Sequence, residues 1–229
     1  MADDIFLTPE EQDERARKWL KDNGPALEIG IALGLGAIFG YEQYKTSVQS
    51  NAEQASALYD AALEEVADSS LSDIDAQVTE LKENYASSSY ASKAVLLKAK
   101  KLSISDLDAA YNELQWVVDN SKEVGLQHTA RIRQAKIKLS QGDLSAAQAL
   151  ASFTPTQGFE SNYAEVLGDV NVRNGDSDGA RQQYQKAIDT LPAASQNYAQ
   201  LLSLKIGRLP AAAVKEVEPK SETSADQSE

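Results

Sequence analysis

Residues with catalytic side chains are scarce in this sequence, and they are not spaced for chemistry. His128 is the only histidine and there is no cysteine, which leaves neither a thiol nucleophile nor a set of neighbouring metal ligands. Glu64-Glu65 and the pair Asp73 and Asp75 occupy helical or capping positions, where carboxylates are usually solvated or offset the helix dipole. The sequence therefore predicts no enzyme activity, no cofactor and no metal site, and it places His128 at the surface or at a helix start.

Glycines near the N-terminus imitate a dinucleotide-binding loop, because Gly34, Gly36 and Gly40 nearly match its spacing. Such a loop follows a strand and opens a helix, whereas these glycines lie within the apolar run 25–41. The sequence therefore predicts no dinucleotide-binding loop here.

The same glycines form pairs that could contact another membrane helix. Gly30 and Gly34 are four residues apart, as are Gly36 and Gly40, and pairs of small residues let another helix approach closely in lipid. Glycine is also common in membrane helices without that role. The predicted membrane-helix contact consists of Gly30, Gly34, Ala37, Gly36 and Gly40.

The element that would position these glycines is the segment 24–44, the only stretch apolar enough to cross a bilayer. Its core, from Pro25 to Tyr41, lies at the short end of the roughly 17–25 residues that a spanning helix needs. Glu28 is its one charge, and Tyr41 and Tyr44 mark the far end as aromatic rings do at a membrane boundary. We predict one transmembrane helix. A cleaved signal peptide and a buried core helix are the alternatives, although no small-x-small cleavage site follows closely.

The basic residues that flank this segment give its orientation. Arg15, Arg17, Lys18 and Lys21 precede it, whereas Lys45 is the only basic residue close behind it. Positively charged flanks stay in the cytoplasm. In a bacterium this predicts a single-pass protein of the inner membrane, with a cytoplasmic N-terminus and a periplasmic C-terminal domain.

The composition is that of a folded, acidic protein. Hydrophobic residues make up 42% and charged residues 25% of the 229 positions, which are ordinary globular values. The net charge of −13 argues against nucleic acid and anionic lipid headgroups as partners. Without cysteines, an exported domain must rely on its apolar core alone.

An internal period runs through the C-terminal part of the chain. Gln141-Gly142-Asp143 and Asn174-Gly175-Asp176 are 33 residues apart, and each reads as a helix-ending glycine followed by a capping aspartate. Around the second copy, small residues, a tyrosine and a final proline recur at the spacings of a tetratricopeptide repeat. These residues are Ala164, Leu167, Gly168, Asn171, Ala180, Tyr184, Ala187 and Pro192.

Two earlier copies of the repeat are weaker. In one, Ala135, Ala147 and Ala151 align, and Phe153-Thr-Pro155 should cut its second helix short. The other is formed by Ala94, Leu97, Ala110, Leu114 and Val117, with a turn at Ser105-Asp106. Each repeat hides its apolar face only against neighbours, so this pattern predicts a small helical solenoid. An unrelated stack of helical hairpins is the alternative.

The predicted fold is therefore all-α, with a single N-terminal transmembrane helix followed by a tetratricopeptide-repeat-like solenoid. Its expected parts are a cytoplasmic leader (1–23), the membrane helix (24–44), a periplasmic repeat domain (45–208) and a disordered acidic tail (209–229). Within the leader, Thr8-Pro9-Glu10-Glu11 predicts the start of a short amphipathic helix over residues 9–22.

The chain resembles the YfgM-like ancillary subunits of the SecYEG translocon. The residues that carry the resemblance are the basic leader, Asp22-Asn23-Gly24, the glycine-rich span up to Tyr41, and the repeat around Gly168 and Ala180. The tail after Leu209 has no counterpart in it. The resemblance implies an inner-membrane protein with a periplasmic repeat domain that works beside Sec translocon subunits and a PpiD-type periplasmic foldase.

In tetratricopeptide repeats, the first helix of each hairpin normally lines the concave surface. If this chain follows the same arrangement, the expected groove residues are Thr129, Ile132, Lys136 and Leu139 of one repeat and Asn162, Glu165, Asp169 and Val172 of the next. A mixed polar and apolar groove suits weak binding of extended or partly folded exported chains. Simple solvation is the other interpretation of these side chains.

The leading hypothesis from the sequence is a membrane-tethered interaction protein at the exit of the export channel, which hands over translocated chains or recruits chaperones. Two alternatives belong to other classes. One is a repeat adaptor that regulates an envelope signalling protein, and the other is a scaffold for envelope assembly.

Overall fold

The computed structural model describes residues 8–67, 71–154, 156, 158–192 and 195–210. The regular elements in these ranges are all α-helices, which confirms the predicted class. The predicted tail lies outside the described residues, except for Leu209 and Pro210. The helices are α1 (Pro9–Ala67), α2 (Leu71–Asn84), α3 (Ser89–Leu102), α4 (Leu107–Asn120), α5 (Val124–Ser140), α6 (Leu144–Ala151), α7 (Glu160–Arg173), α8 (Ser177–Asp189) and α9 (Gln196–Gly207).

Helix α1 begins with a capping box at Thr8. The Thr8 amide donates to Glu11 Oε2 at 3.0 Å, and the Glu11 amide donates to Thr8 Oγ1 at 3.4 Å. The helix then continues for 59 residues through Pro25, so the short helix expected over residues 9–22 does not end before the apolar segment. Proline has a helical φ, but it removes one N–H donor and crowds the carbonyl four residues earlier, so the helix continues across this position with one hydrogen bond fewer.

The described residues divide into two compact units, with the boundary inside α1 between Ala57 and Leu58. In the first unit the large apolar side chains are exposed; Leu33 and Phe39, for example, are 70% and 77% accessible. Among the described residues, α1 is the one helix long and apolar enough to cross a membrane, and none of its apolar window is buried. The alternative of a buried core helix is therefore wrong for this segment.

The second unit is a series of helix pairs, α3 with α4, α5 with α6 and α7 with α8, each packed against its neighbours. Gly142 and Gly175 follow α5 and α7 with φ angles of 81° and 78°, a conformation that favours glycine. Asp143 and Asp176 then cap α6 and α8 by accepting from the amide three residues on, at 3.0 and 2.9 Å. Both predicted turns are confirmed.

The repeat formed by α7 and α8 packs as its residue spacing predicts. A Cβ added at Gly168 would lie 2.5 Å from Cε1 of Tyr184, so the tyrosine ring lies directly against the backbone of α7. In the preceding pair, α6 has only eight residues and ends at Ala151. The interruption predicted from Phe153 onward is confirmed, and it makes this repeat shorter than the one that follows.

Candidate interaction surfaces

The glycines predicted to contact another membrane helix lie on an open part of α1. A Cβ added at Gly30, Gly34, Gly36 or Gly40 would find no described atom within 4 Å beyond the glycine's own chain neighbours and helix backbone. The apolar side chains around them, such as Ile38, are exposed. This geometry leaves room for a second helix, and the contact itself stays a prediction.

The eight residues predicted to line the groove lie in different environments. Ile132 is buried, Thr129, Leu139 and Asn162 are half-buried, and Val172 is exposed. The other three, Lys136, Glu165 and Asp169, belong to one network of ion pairs and hydrogen bonds. The structure thus brings a subset of the predicted groove together, and ligand binding by these residues stays a prediction.

Glu165 of α7 is the centre of that network. It is only 4% exposed, yet both of its carboxylate oxygens have partners. Lys136 Nζ of α5 lies 3.1 Å from Oε2, and Lys205 Nζ of α9 lies 2.9 Å from Oε1. The Tyr198 hydroxyl also donates to Oε2. Because a buried charge is costly unless it is paired and hydrogen-bonded, these contacts tie α5, α7 and α9 together.

Asp169, one helical turn after Glu165, extends the network to α8. Lys205 Nζ lies 2.7 Å from Asp169 Oδ1, and the Tyr184 hydroxyl donates to the same oxygen at 2.6 Å. Tyr184 therefore has two contacts with α7: its ring packs against the backbone of that helix, and its hydroxyl donates to Asp169.

The network keeps its charged groups ionised. Burial alone would raise the pKa of Glu165, but hydrogen bonds from Tyr198 and Lys205 and the charge of Lys136 outweigh it and hold that pKa below its ordinary value. Burial alone would lower the pKa of Lys205, but Asp169 and Glu165 raise it above its ordinary value. Glu165 and Lys205 therefore face each other as ions at neutral pH.

Two members of the network, Tyr198 and Lys205, were not predicted from the sequence. They lie 33 and 40 residues after Glu165. The first separation equals the repeat period, so Tyr198 stands one repeat after the carboxylate to which it donates. The repeat period is the sequence signal that could have identified Tyr198. The separation of 40 residues between Glu165 and Lys205 does not match this period, so the sequence contains no such signal for Lys205.

A cavity of about 430 Å³ lies between α3 and α5, with one wall formed by the start of α4. Its lining is mainly apolar, from Ala99, Leu107, Leu114 and Ile137. Three basic residues also line it: Lys100, Arg133 and Lys136. Lys136 therefore belongs both to the predicted groove and to this cavity.

The expectation that His128 lies at the surface is wrong; it lies near the start of α5 and is buried. The side chain is 2% exposed, stacks on Phe159 at a centroid distance of 4.9 Å, and has its Nδ1 2.9 Å from the Tyr163 hydroxyl. Burial, and then the charge of Arg131, lower the pKa of His128 below its ordinary value, so the neutral ring is favoured. It is a core residue because Phe159 and Tyr163 cover it, and no three metal-ligating side chains come together among the described residues.

Comparison with known proteins gives one family and several full-length relatives. The family model described as "Tetratricopeptide repeat-like domain" matches residues 17–211, a range that includes the apolar segment of α1. No solved structure matches the chain.

The relatives include proteins named "Ancillary SecYEG translocon subunit" from three bacteria. The one from Haemophilus influenzae is 25% identical over 204 residues, which cover 89% of this chain and 98% of the relative. The one from Escherichia coli is 24% identical over 209 residues, or 90% and 98% of the two chains. The one from Neisseria gonorrhoeae is 29% identical over 194 residues, or 84% and 89%. The similarity thus extends over nearly the whole length of the first two relatives.

Proposed function

Because the chain belongs to the tetratricopeptide repeat-like domain family, we propose that it is a membrane-anchored interaction protein that assists protein export at the Sec translocon. Full-length relatives named as ancillary subunits of that translocon support the site of action. The observation that carries the proposal is the exposed apolar segment of α1, since water is a poor solvent for side chains such as Leu33 and Phe39.

The proposed orientation places the N-terminus in the cytoplasm and the repeat domain in the periplasm. Arg15, Arg17, Lys18 and Lys21 all precede the apolar segment, and basic flanks of this kind are retained on the cytoplasmic side. Translocated chains emerge on the opposite side, where the second unit would meet them. The anchor then serves to keep the repeat domain close to the channel exit.

In this proposal, two surfaces of the protein bind different partners. The glycine face of α1, built around Gly30 and Gly34, docks against a translocon helix, because a helix without side-chain bulk can be approached closely in lipid. The surface lined by α5 and α7 then binds either a translocated chain or a periplasmic foldase. Weak binding suits both roles, since a client must be released again.

The experiment that tests the proposal is co-purification of the tagged, full-length chain from membranes in a mild detergent. Gly34→Leu should abolish recovery of translocon subunits, because the added side chain fills the space where a partner backbone would lie. Ala32→Leu is the matched control. It adds the same side chain to the same segment but, at 100° per residue, on the opposite side of the helix from Gly34.

Each outcome of this experiment decides between functions. Translocon subunits and a foldase that are recovered with Ala32→Leu and lost with Gly34→Leu support the proposal. Equal recovery with both variants contradicts the role of the glycine face. Recovery of a signalling protein indicates the adaptor, and recovery of the chain alone as a dimer indicates the scaffold.

A further inference from the structure

Helices α3 and α5 each contain four basic residues and no carboxylate, although the chain as a whole is acidic. Together they hold eight of the 22 lysines and arginines, in a chain whose net charge is −13. These residues are Lys93, Lys98, Lys100, Lys101, Arg131, Arg133, Lys136 and Lys138. Positive charge is therefore concentrated on two helices that line the same cavity.

The cavity between α3 and α5 combines this charge with an apolar floor. Lys100, Arg133 and Lys136 contribute to its lining, whereas Lys98 is occupied by ion pairs with α2 and α4. Among the described residues, no carboxylate pairs with Lys100 or Arg133. Lys136 keeps a side chain that is 45% exposed. The cavity can accept carboxylates at its rim and aliphatic groups at its floor.

The sequence supplies a segment of complementary composition. Residues 211–229 contain five carboxylates against two lysines, and Val214 and Val217 stand beside Glu216 and Glu218. The family match ends at residue 211, so the segment lies beyond the repeat-like domain. Its charge is opposite to that of the cavity lining, and its valines match the apolar floor.

The segment is long enough to reach the cavity. It follows Pro210, whose carbonyl oxygen accepts from Arg181 Nη2 at 2.7 Å. Three steps between neighbouring helices, from α9 through α7 and α5 to α3, cover roughly 30 Å at 8–10 Å each. Nineteen residues span at most about 60 Å when extended, so the cavity lies well within range.

We propose that residues 211–229 bind in the α3–α5 cavity of the same chain. Their carboxylates pair with Lys100, Arg133 and Lys136, and their valines cover the apolar lining. The bound segment competes with any acidic polypeptide for this surface. The inference concerns the repeat domain alone and does not rest on a role at the translocon.

The test measures how a labelled peptide with the sequence of residues 211–229 binds two forms of the detergent-solubilised protein, the intact chain and a chain that ends at Pro210. A tethered segment has an effective concentration on the order of millimolar, so a peptide that binds the shortened chain with a Kd of about 0.1 mM should bind the intact chain about tenfold more weakly. Binding to the shortened chain should weaken as salt is raised, because exposed ion pairs are screened.

Paired substitutions in the shortened chain locate the binding surface. Lys100→Gln with Arg133→Gln, which leaves the Lys136–Glu165 pair intact, should weaken peptide binding about fivefold. Lys122→Gln with Lys186→Gln removes the same charge at exposed positions away from the cavity, and it should leave binding unchanged. The proposal is overturned if the intact and shortened chains bind the peptide equally. It is also overturned if the first pair of substitutions leaves peptide binding unchanged. A dimer that forms only when the segment is present also overturns it, because the occupant is then a second copy.

Discussion

Gly34 in α1 and Gly168 in α7 are both helical glycines, but only Gly168 is packed against another described side chain. A Cβ at Gly168 would lie 2.5 Å from the ring of Tyr184, whereas a Cβ at Gly34 would meet no described side chain within 4 Å. Glycine is required at Gly168 by the contact with this ring. At Gly34 no contact with the described residues requires glycine.

The same contrast holds for the apolar side chains of the two regions. Tyr184 is 3% exposed and Leu202 is fully buried, whereas Leu33 and Phe39 are mostly accessible. Helices α7, α8 and α9 bury these apolar side chains against one another. The described residues leave the apolar side chains of segment 24–44 uncovered, so stability measurements should report on the first region and association measurements on the second.

The largest expected effect is that of Gly168→Val. The added side chain collides with the ring of Tyr184, and overpacking of this kind costs about 2–3 kcal/mol. Urea denaturation followed by circular dichroism measures the loss. Gly34→Val is the matched control and should leave the transition of the repeat domain in place, so equal losses for both variants would break the comparison.

Glu165→Gln should cost about 2 kcal/mol at pH 7, because Lys136 and Lys205 lose their shared buried counter-charge. The pKa of Glu165 is lowered in the folded state, so its contribution is present above the ordinary value of 4.5 and is lost as the pH falls through the folded-state value. The difference in the free energy of unfolding between the two proteins, measured by denaturation at pH 7 and at successively lower pH, should therefore shrink only as the pH falls below 4.5 and through the folded-state pKa of Glu165. Glu83→Gln, at an exposed site, is the control substitution.

Tyr184→Phe should cost about 1 kcal/mol, which is less than the change at Gly168. The ring still packs against α7, and only the hydrogen bond to Asp169 is lost while Lys205 continues to neutralise that carboxylate. Thermal denaturation measures the difference. A loss as large as that of Gly168→Val would mean that the hydroxyl, rather than the ring, holds the two helices together.

The smallest expected effect is that of Gly34→Ala, which should change the free energy of unfolding of the repeat domain by less than about 0.5 kcal/mol. The methyl group enters open space, and alanine is the better helix former. The same denaturation experiment measures it, beside Gly168→Ala. A clear destabilisation by Gly34→Ala would show that the glycines of α1 support the fold of the repeat domain after all.

Sequence reasoning predicted the features that depend on local chemistry. Gly142 and Gly175 were predicted as turns because a positive φ and an aspartate cap are encoded within a few residues, and the close approach at Gly168 followed from the repeat spacing. The burial of His128 was not predicted, because Phe159, which covers it, lies 31 residues later in the chain.

The ion-pair network shows the same limit. Lys136, Glu165 and Asp169 were selected as groove residues by analogy with other repeats. In the structure Lys205 bridges Glu165 and Asp169, and Lys136 pairs with Glu165 directly. The repeat spacing in the sequence indicates that a carboxylate lies on the first helix of a repeat. Which lysine will face that carboxylate depends on how α9 packs, and that packing is set by apolar contacts such as those of Leu202.

The position of Glu165 also determines when the domain can be completed. A chain is synthesised from its N-terminus onward, so Lys136 is in place before Glu165, while Tyr198 and Lys205 follow. Until α9 has been synthesised, the carboxylate has one cation instead of two and lacks the tyrosine hydroxyl, and an under-compensated buried charge disfavours the closed structure. The repeats therefore gain the stabilisation of this network only after α9 has been made.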